Sequence, residues 1–214
     1  VLDHHLVFDD VLAHDTAVEL HAAHGRKVVT VIGIEQSVEQ DFDRLFGRRF
    51  ARTHHAVNGD ARGLPQYRLP VVPDTVPDFA GPLAGVLAGL EYLRAHEPGM
   101  RWLASFACDC PWFPRDLVQR LWQHARQDGC EVAIARSAGR LHPVFALWSC
   151  DLAAALRDAL VRRDMRGAGA FLRTRRHVAV DWPATPFDPF FNINTPDDLA
   201  LAEARLASGK GDCA

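Results

Sequence analysis

The sequence predicts an α/β protein, a three-layer sandwich in which a mostly parallel sheet carries helices on both faces. Apolar runs of strand length, rich in β-branched and aromatic residues, alternate with segments of helical period. The runs are hydrophobic throughout rather than alternating, which is typical of strands buried on both faces. Because ligands of such sheets bind outside the carboxyl ends of the strands, functional residues are expected where the strands end.

The predicted strands and helices follow from these patterns in chain order. The apolar runs that predict strands are 27–34, 101–107, 130–135, 143–148 and 177–182. The helical patterns lie at 81–96, 115–129, 151–163 and 195–207, with a further helix at about 11–24. The helix at 115–129 ends on Gly129, which suits a C-cap. Residues 60–81 are rich in Pro, Gly and Asp and predict a long excursion between elements.

Length and composition indicate one soluble domain spanning residues 1–214, without repeats or a low-complexity linker. A net charge of −3 excludes the global basic field of nucleic-acid binders, so no nucleic acid is expected. No apolar run approaches about 18 residues, so no membrane association is expected. The five cysteines form an odd, scattered set, and the N-terminal residues lack a secretion pattern. We therefore expect a reduced, cytoplasmic protein.

The stretch "CDCPWFP" at 108–114 raises a choice between thiol and carboxylate chemistry. Cys108 and Cys110 are separated by one residue, and no second pair follows at zinc spacing. A redox site would require C-x-x-C near a helix start. Asp109 follows an apolar strand, where a carboxylate is well placed to hold Mg²⁺ on a bound nucleotide. The alternative, that Asp109 only terminates the strand or caps a turn, is equally compatible with the residues.

A second candidate region runs through "PVVPDTVPDFAGPLAGVLAGL" at 70–90. Asp74 follows a strand end, and the sequence "GPLAG" then opens a helix. Gly81 and Gly85 allow close backbone approach, and the N–H groups of a helix start attract anions. Ordinary helix-start chemistry, with Pro82 at the first helical position, accounts for the same residues.

A third region, "PFDPFFNINTPDDLALAE" at 186–203, combines a helix start with two amides. Thr195, Pro196 and Asp198 predict a capping box. Asn192 and Asn194 alternate, so in an extended segment they face the same side and offer amide donors and acceptors to a heterocycle or a phosphate. Backbone capping by one of the two asparagines is the alternative.

From about Asn58 to Ala207 the sequence resembles the molybdenum cofactor guanylyltransferases. The resemblance rests on four stretches in order and spacing: "LPVVPDTVPDFAGPLAGVLAGL", "CDCPWFPRDLV", "GRLHPVFALW" and "DPFFNINTPDDLALAEA". It implies a nucleotide-binding sheet and the transfer of GMP from GTP to the phosphate of molybdopterin, with Mg²⁺ present and pyrophosphate released. GTP and molybdopterin are then the expected partners, and a molybdoenzyme chaperone is a further candidate.

The resemblance also implies roles for the matched positions. Asp109 matches the catalytic, Mg²⁺- and GTP-binding aspartate of the family. The positions matching nucleotide-contacting residues are Asn58, Asp74, Gly81, Pro82, Leu83 and Gly85, together with Asp109. The positions matching the pterin side are His142, Pro143, Asn192 and Asn194.

Residues 1–57 are atypical of that family, which opens with a strand and a loop of the form L-A-G-G-x-S-x-R-M-G…D-K. Either "VL" and "DHHLVF" are the ends of that region, or "VVTVIGI" is the first strand and "EQSVEQDFDRLF" follows it without the glycines. Lys27 precedes that strand and is expected far from the phosphates, and Arg48 with Arg49 either supply cations or form an exposed turn. Three alternatives stay open: a cytidylyltransferase on the same cofactor, a sugar-nucleotide pyrophosphorylase, or a non-catalytic molybdopterin-binding or chaperone-like member.

Overall fold

The computed structural model describes residues 29–35, 53–58, 70–76, 81–107, 109–110 and 112–208. The predicted helix at 11–24, Lys27, Arg48, Arg49 and Cys108 lie outside these ranges. The elements are β1 Val29–Glu35, β2 Thr53–Asn58, β3 Val71–Val72, α1 Pro82–His96, β4 Met100–Ala107, α2 Leu117–Asp128, β5 Val132–Ser137, β6 Arg140–Ser149, a 3₁₀ turn Cys150–Leu152, α3 Ala153–Val161, α4 Ala168–Leu172, β7 His177–Trp182 and α5 Pro196–Ala207.

The strands form one seven-stranded sheet in the order β3-β2-β1-β4-β6-β5-β7. Strand β1 pairs antiparallel with β2 and β4, and β6 pairs antiparallel with β4 and β5. The pairs β2–β3 and β5–β7 are parallel. Five of the described strands therefore run in one direction, and β1 and β6 run in the other.

The α/β class is confirmed, but the expectation of mostly parallel pairing is corrected. The two reversed strands lie inside the sheet, so four of the six neighbouring pairs are antiparallel. A strand buried on both faces has the same apolar composition whichever way it runs, so the sequence pattern did not reveal its direction. The reversal of β6 comes from a two-residue turn in which Ala138 and Gly139 have φ of 47° and 74°. Positive φ at both central residues is the geometry of a type I′ hairpin.

One edge of the sheet, called the carboxyl edge below, is where β2, β3, β4, β5 and β7 all end. Strand β1 begins there instead, because Val29 pairs with Asn58 on one side and with Ala107 on the other. The sequence analysis expected the residues before β1 to lie far from this edge, because it took β1 to run parallel to the other strands. Since β1 runs antiparallel to both of its neighbours, that reason no longer holds. Lys27 itself lies outside the described residues.

Helices cover both faces of the sheet, which confirms the three-layer sandwich. Along β6 the side chains alternate: Trp148 packs with α1 and α3, and Leu147 packs with α2 on the other face. Within the described part of the chain, no helix has the length and apolar character that a bilayer crossing requires. The prediction of a single domain over 1–214, atypical in 1–57, extends beyond the described ranges and stays a prediction.

Short connections bring helix starts to the carboxyl edge. Three residues separate the end of helix α1, His96, from the start of β4 at the opposite edge, so the first residue of the helix, Pro82, lies toward the carboxyl edge. Helix α2 is arranged in the same way and ends at Asp128. Gly129 follows with φ of 58° and ψ of 36°, a left-handed conformation that confirms the predicted glycine C-cap. At the start of α5, Asp198 N–H donates to Thr195 Oγ1 at 3.1 Å and Thr195 N–H donates to Asp198 Oδ2 at 2.9 Å. The predicted capping box is therefore confirmed.

Candidate active site

The structure places the sequence-predicted site residues along the carboxyl edge. Asn58 is the last residue of β2, Asp74 follows β3 by two residues, and Asp109 follows β4 by two residues. His142 is near the start of β6, which pairs with β4. With neighbouring strands about 4.8 Å apart, Asn58 and Asp74 lie on one side of Asp109 and His142 lies on the other.

Asp109 lies in a turn that is tied to the segment between β7 and α5. Asp109 is only 2% exposed. Its backbone carbonyl accepts a hydrogen bond from Ile193 N–H at 2.7 Å. The neighbouring Cys110 is buried, and its thiol donates to the Pro189 carbonyl at 3.4 Å. The strand end that carries Asp109 and the loop that carries Asn192 and Asn194 are therefore in direct contact.

The two predicted pterin-side asparagines occupy different environments. The Asn192 side-chain oxygen Oδ1 is buried and has no hydrogen-bond partner among the described residues. Asn194 is exposed, and its amide nitrogen Nδ2 donates weakly to the Asn192 carbonyl at 3.5 Å. Buried amide oxygens normally accept a hydrogen bond. Of the two asparagines, Asn192 is therefore the one whose side-chain oxygen is available to accept a hydrogen bond from a ligand.

Helix α1 begins with a backbone conformation that requires glycine. Gly81 has φ 76° and ψ −168°, and Pro82 is the first helical residue, as predicted. No side chain caps the first N–H groups, and the first turn contains no acidic residue. Leu83 is 1% exposed within the core, so its side chain is turned away from any ligand. Pro82 has no N–H, and the Ala84 N–H donates to the Gly81 carbonyl at 3.0 Å. What the first turn offers a ligand is therefore the Leu83 N–H and the positive end of the helix dipole.

A cluster that the sequence analysis missed joins Ser137, His142 and Asp188, and is called the His142 cluster. Ser137 Oγ donates to Asp188 Oδ1 at 2.8 Å and lies 2.7 Å from His142 Nε2. Asp188 Oδ1 also accepts from Phe190 N–H at 2.9 Å. The only sequence signal was a polar residue, Ser137, at the end of a buried strand; nothing marked Asp188 as its partner.

The order of groups in the His142 cluster excludes a serine nucleophile. In a Ser-His-Asp triad the histidine stands between the other two and withdraws the hydroxyl proton. Here Ser137 stands between His142 and Asp188, gives its proton to the carboxylate and is 1% exposed. Burial lowers the pKa of the His142 imidazole below its ordinary range; the Asp188 charge opposes this and the Arg140 charge adds to it. His142 is thereby held neutral.

A second polar cluster, called the Arg157 cluster, joins Thr75, Glu91 and Arg157. The guanidinium binds both carboxylate oxygens of Glu91, with Nε–Oε1 2.5 Å and Nη2–Oε2 2.7 Å. Thr75 Oγ1 donates to Glu91 Oε2 at 2.9 Å and accepts from Arg157 Nη2 at 3.1 Å. The cluster fastens the residue after Asp74 to α1 and α3.

The protein is an α/β sandwich whose candidate site residues lie along the edge where the strands end, which is where nucleotide-binding sheets hold their ligands. A family model described as the MobA-like NTP transferase domain matches residues 23–180. The chain belongs to this family of nucleotidyltransferases.

Individual proteins that are similar to this chain carry more specific names. A protein named molybdenum cofactor guanylyltransferase from Rhodopseudomonas palustris (strain HaA2) is 49% identical over 84% of this chain and 83% of its own. One of the same name from Mesorhizobium japonicum is 42% identical over 86% and 89%. The solved structure of molybdopterin-guanine dinucleotide biosynthesis protein A from Archaeoglobus fulgidus is similar with a TM-score of 0.51 and 25% identity, over 67% of this chain and 71% of that one.

Proposed function

We propose that this protein transfers GMP from GTP to the phosphate of molybdopterin and releases pyrophosphate. The observation that carries the proposal is the order of groups along the carboxyl edge. Asn58 and Asp74 lie on one side of Asp109, and His142 lies on the other. Two substrates bound on the two sides would meet at Asp109. The names of the relatives support this pairing of substrates.

On the nucleotide side, the proposed contacts are Asn58, Asp74, Asp109 and the segment from Gly81 through Pro82 and Leu83 to Gly85. The start of α1 suits a phosphate, because the helix dipole places partial positive charge there and no side chain caps it. The carboxylates suit hydroxyl and N–H donors of a nucleoside. On the pterin side, His142, Pro143, Asn192 and Asn194 offer acceptors and donors to a flat heterocycle.

Asp109 suits Mg²⁺ as a ligand from the protein. Mg²⁺ prefers oxygen ligands and is usually held by one or two carboxylates, substrate phosphates and waters. Among the residues the structure describes, no group of three His, Cys, Asp or Glu side chains is placed to hold a metal, which matches a site completed by substrate. When bound, Mg²⁺ would offset the charge that accumulates on the phosphates.

The protein's own contribution to the reaction is positioning. An oxygen of the molybdopterin phosphate attacks the α-phosphorus of GTP, the bond from that phosphorus to the bridging oxygen breaks, and pyrophosphate leaves. The attacking phosphate is already ionised, so no side chain has to remove a proton. Alignment by the two groups of residues and by Asp109 supplies the rate enhancement, as in other phosphoryl transfers.

We also propose that the protein works in the cytoplasm. Its substrate GTP is found there, and Cys130 and Cys150 are free thiols, as expected in a reducing compartment. A molybdoenzyme chaperone as a further partner stays a prediction.

The proposal is tested by incubating the protein with Mg²⁺, molybdopterin and each nucleoside triphosphate, and measuring pyrophosphate and the dinucleotide product. Product with GTP is expected. Product with CTP alone would identify a cytidylyltransferase, and pterin binding without product would identify a non-catalytic member.

Changing Asp109 to Ala is expected to lower GTP-dependent turnover by at least about a hundredfold, as the loss of a transition-state contact does. Asp128→Ala is the matched control, because Asp128 is exposed at the end of α2, at the opposite edge of the sheet. Undiminished turnover of Asp109→Ala would refute the proposed role of this carboxylate.

A further inference from the structure

The His142 cluster determines which nitrogen of the imidazole carries the proton. A serine hydroxyl has one hydrogen to donate, and a carboxylate only accepts. Ser137 Oγ therefore donates to Asp188, which it contacts through both carboxylate oxygens at 2.8 and 3.0 Å. The side of Ser137 Oγ that faces His142 is then a lone pair. His142 Nε2, 2.7 Å away, must carry the hydrogen that fills this contact.

This assignment leaves the other ring nitrogen, Nδ1, as a hydrogen-bond acceptor. His142 Nδ1 has no hydrogen-bond partner among the described residues, and it is not among the buried polar atoms that lack one. The His142 side chain is only half-buried, which leaves Nδ1 available to a ligand. Phe190 packs against the imidazole ring in a tilted arrangement, with centroids 4.7 Å apart and an interplanar angle of 30°, and limits its rotation. The ring thus presents a lone pair in a defined direction.

Segments distant in the sequence hold this arrangement. Ser137 ends β5, His142 lies in β6, and Asp188 belongs to the loop before α5. That loop is tied to β5 by Ser137 Oγ, which donates to Asp188, and to the Asp109 turn by Ile193 N–H, which donates to the Asp109 carbonyl. The same loop therefore contacts both the Asp109 turn and the His142 cluster.

We propose that Ser137 and Asp188 are positioning residues that fix His142 in its Nε2–H form, so that Nδ1 accepts a hydrogen bond from an N–H group of a substrate ring. This inference rests on the proposed function. The matching chemistry is the aminopyrimidinone edge, whose ring N–H and amino group are donors. Pterin and guanine both carry that edge, whereas ionised phosphates offer no N–H, so His142 reads a ring and not the phosphates.

The first test reads the tautomer directly, without substrate. In the ¹⁵N spectrum of the protein, His142 is expected to show a protonated Nε2 and an unprotonated Nδ1. Ser137→Ala removes the acceptor for Nε2–H, and we expect a mixture of tautomers. Ser105→Ala is the matched control: Ser105 is also 1% exposed, but its hydroxyl donates to the Val144 carbonyl and accepts from Trp148 Nε1. It should leave the His142 signals unchanged.

The second test compares two replacements of His142. The side-chain oxygen of His142→Asn can take the place of Nδ1, whereas the longer side chain of His142→Gln reaches the position of Nε2. Losing one hydrogen-bond acceptor is expected to weaken ring binding about tenfold. Asn should retain most of the affinity and Gln should lose it. The probes are neopterin and GTP, measured by calorimetry: a loss confined to neopterin assigns His142 to the pterin, and one confined to GTP assigns it to guanine.

The outcomes separate this inference from the proposed function. A wild-type protein that forms no product but shows the expected tautomer and the Asn-versus-Gln difference would refute the proposed transfer alone. Protonation at Nδ1 in the wild-type protein would overturn the inference, whatever the turnover. Equal affinities of wild type, His142→Asn and His142→Gln for both probes would overturn it as well. If Ser137→Ala unfolds, Asp188→Asn takes its place, because the amide supplies a donor that competes for Ser137 Oγ.

Discussion

The His142 cluster and the Arg157 cluster each join three side chains from three separate segments, but they are built on different physics. The His142 cluster pairs a 1% exposed hydroxyl with a neutral imidazole and a carboxylate. The Arg157 cluster is an ion pair in which the Arg157 and Glu91 side chains are 44% and 26% exposed. Both lie near loops that carry proposed site residues.

Holding two segments together and fixing the position of a proton therefore depend on different kinds of interaction. A half-exposed ion pair is screened by water. It therefore connects the Thr75 segment to α1 and α3 but contributes little to the free energy of unfolding. A buried hydroxyl leaves no choice of partner, because any unmade hydrogen bond there costs the full desolvation of the group. The buried cluster therefore specifies the position of a proton, and the exposed one does not.

The largest expected effect comes from breaking the buried cluster. Asp188→Ala would leave the Ser137 hydroxyl and the Phe190 N–H without their acceptor. We expect a loss of about 2 kcal/mol or more in the free energy of unfolding, measured by urea denaturation. A loss below about 0.5 kcal/mol would show that water replaces the carboxylate and that the cluster is not sealed.

The pH dependence of stability should separate the two clusters. Because the pKa of His142 is lowered in the folded protein, the unfolded chain binds the proton more tightly, and stability is lost as the pH falls below about 6.5. Burial raises the pKa of Glu91, but hydrogen bonds from Arg157 and Thr75 lower it more, so its contribution is lost only below about 4.3.

Urea unfolding across that pH range checks both windows. His142→Gln should remove the upper part of the pH dependence, and Glu91→Gln should remove the lower part. If the free energy of unfolding changed with pH in the same way in wild type and His142→Gln between about 4.3 and 6.5, the assignment to His142 would be contradicted.

A smaller effect is expected from the exposed cluster. Arg157→Ala should cost less than about 1 kcal/mol, and the cost should shrink further in about 1 M NaCl. The ¹⁵N signals of His142 should not change, since no described contact joins the two clusters. A cost of several kcal/mol, insensitive to salt, would place Arg157 among the buried determinants of the fold.

The smallest effect is expected at the cysteines beside Asp109. Changing Cys108 and Cys110 to Ser should leave turnover largely intact, because a serine hydroxyl at 110 can replace the thiol that donates to the Pro189 carbonyl. Turnover measured with GTP checks this. A large loss of turnover in a folded double variant would revive a thiol mechanism.

Part of the site could be predicted because it depends on short-range pattern. Asp109 was found as a carboxylate after an apolar strand, and Thr195 with Asp198 as a capping box three residues apart. Ser137 and Asp188 were missed because they are 51 residues apart in the sequence and share no pattern. The Arg157 cluster was missed for the same reason, since Glu91 and Arg157 are 66 residues apart.

The sequence by itself determined the α/β class, the helix that starts at Pro82, the C-cap at Gly129 and the candidate carboxylate Asp109. These depend on periodicity, glycine conformation and capping, which act over a few residues. Only the tertiary structure decided that β1 and β6 run opposite to the other strands and that Asp188 meets Ser137 beside His142. Strand direction and distant hydrogen bonds arise when the segments pack together, because a buried strand is equally apolar in either direction and a polar side chain carries no record of its partner.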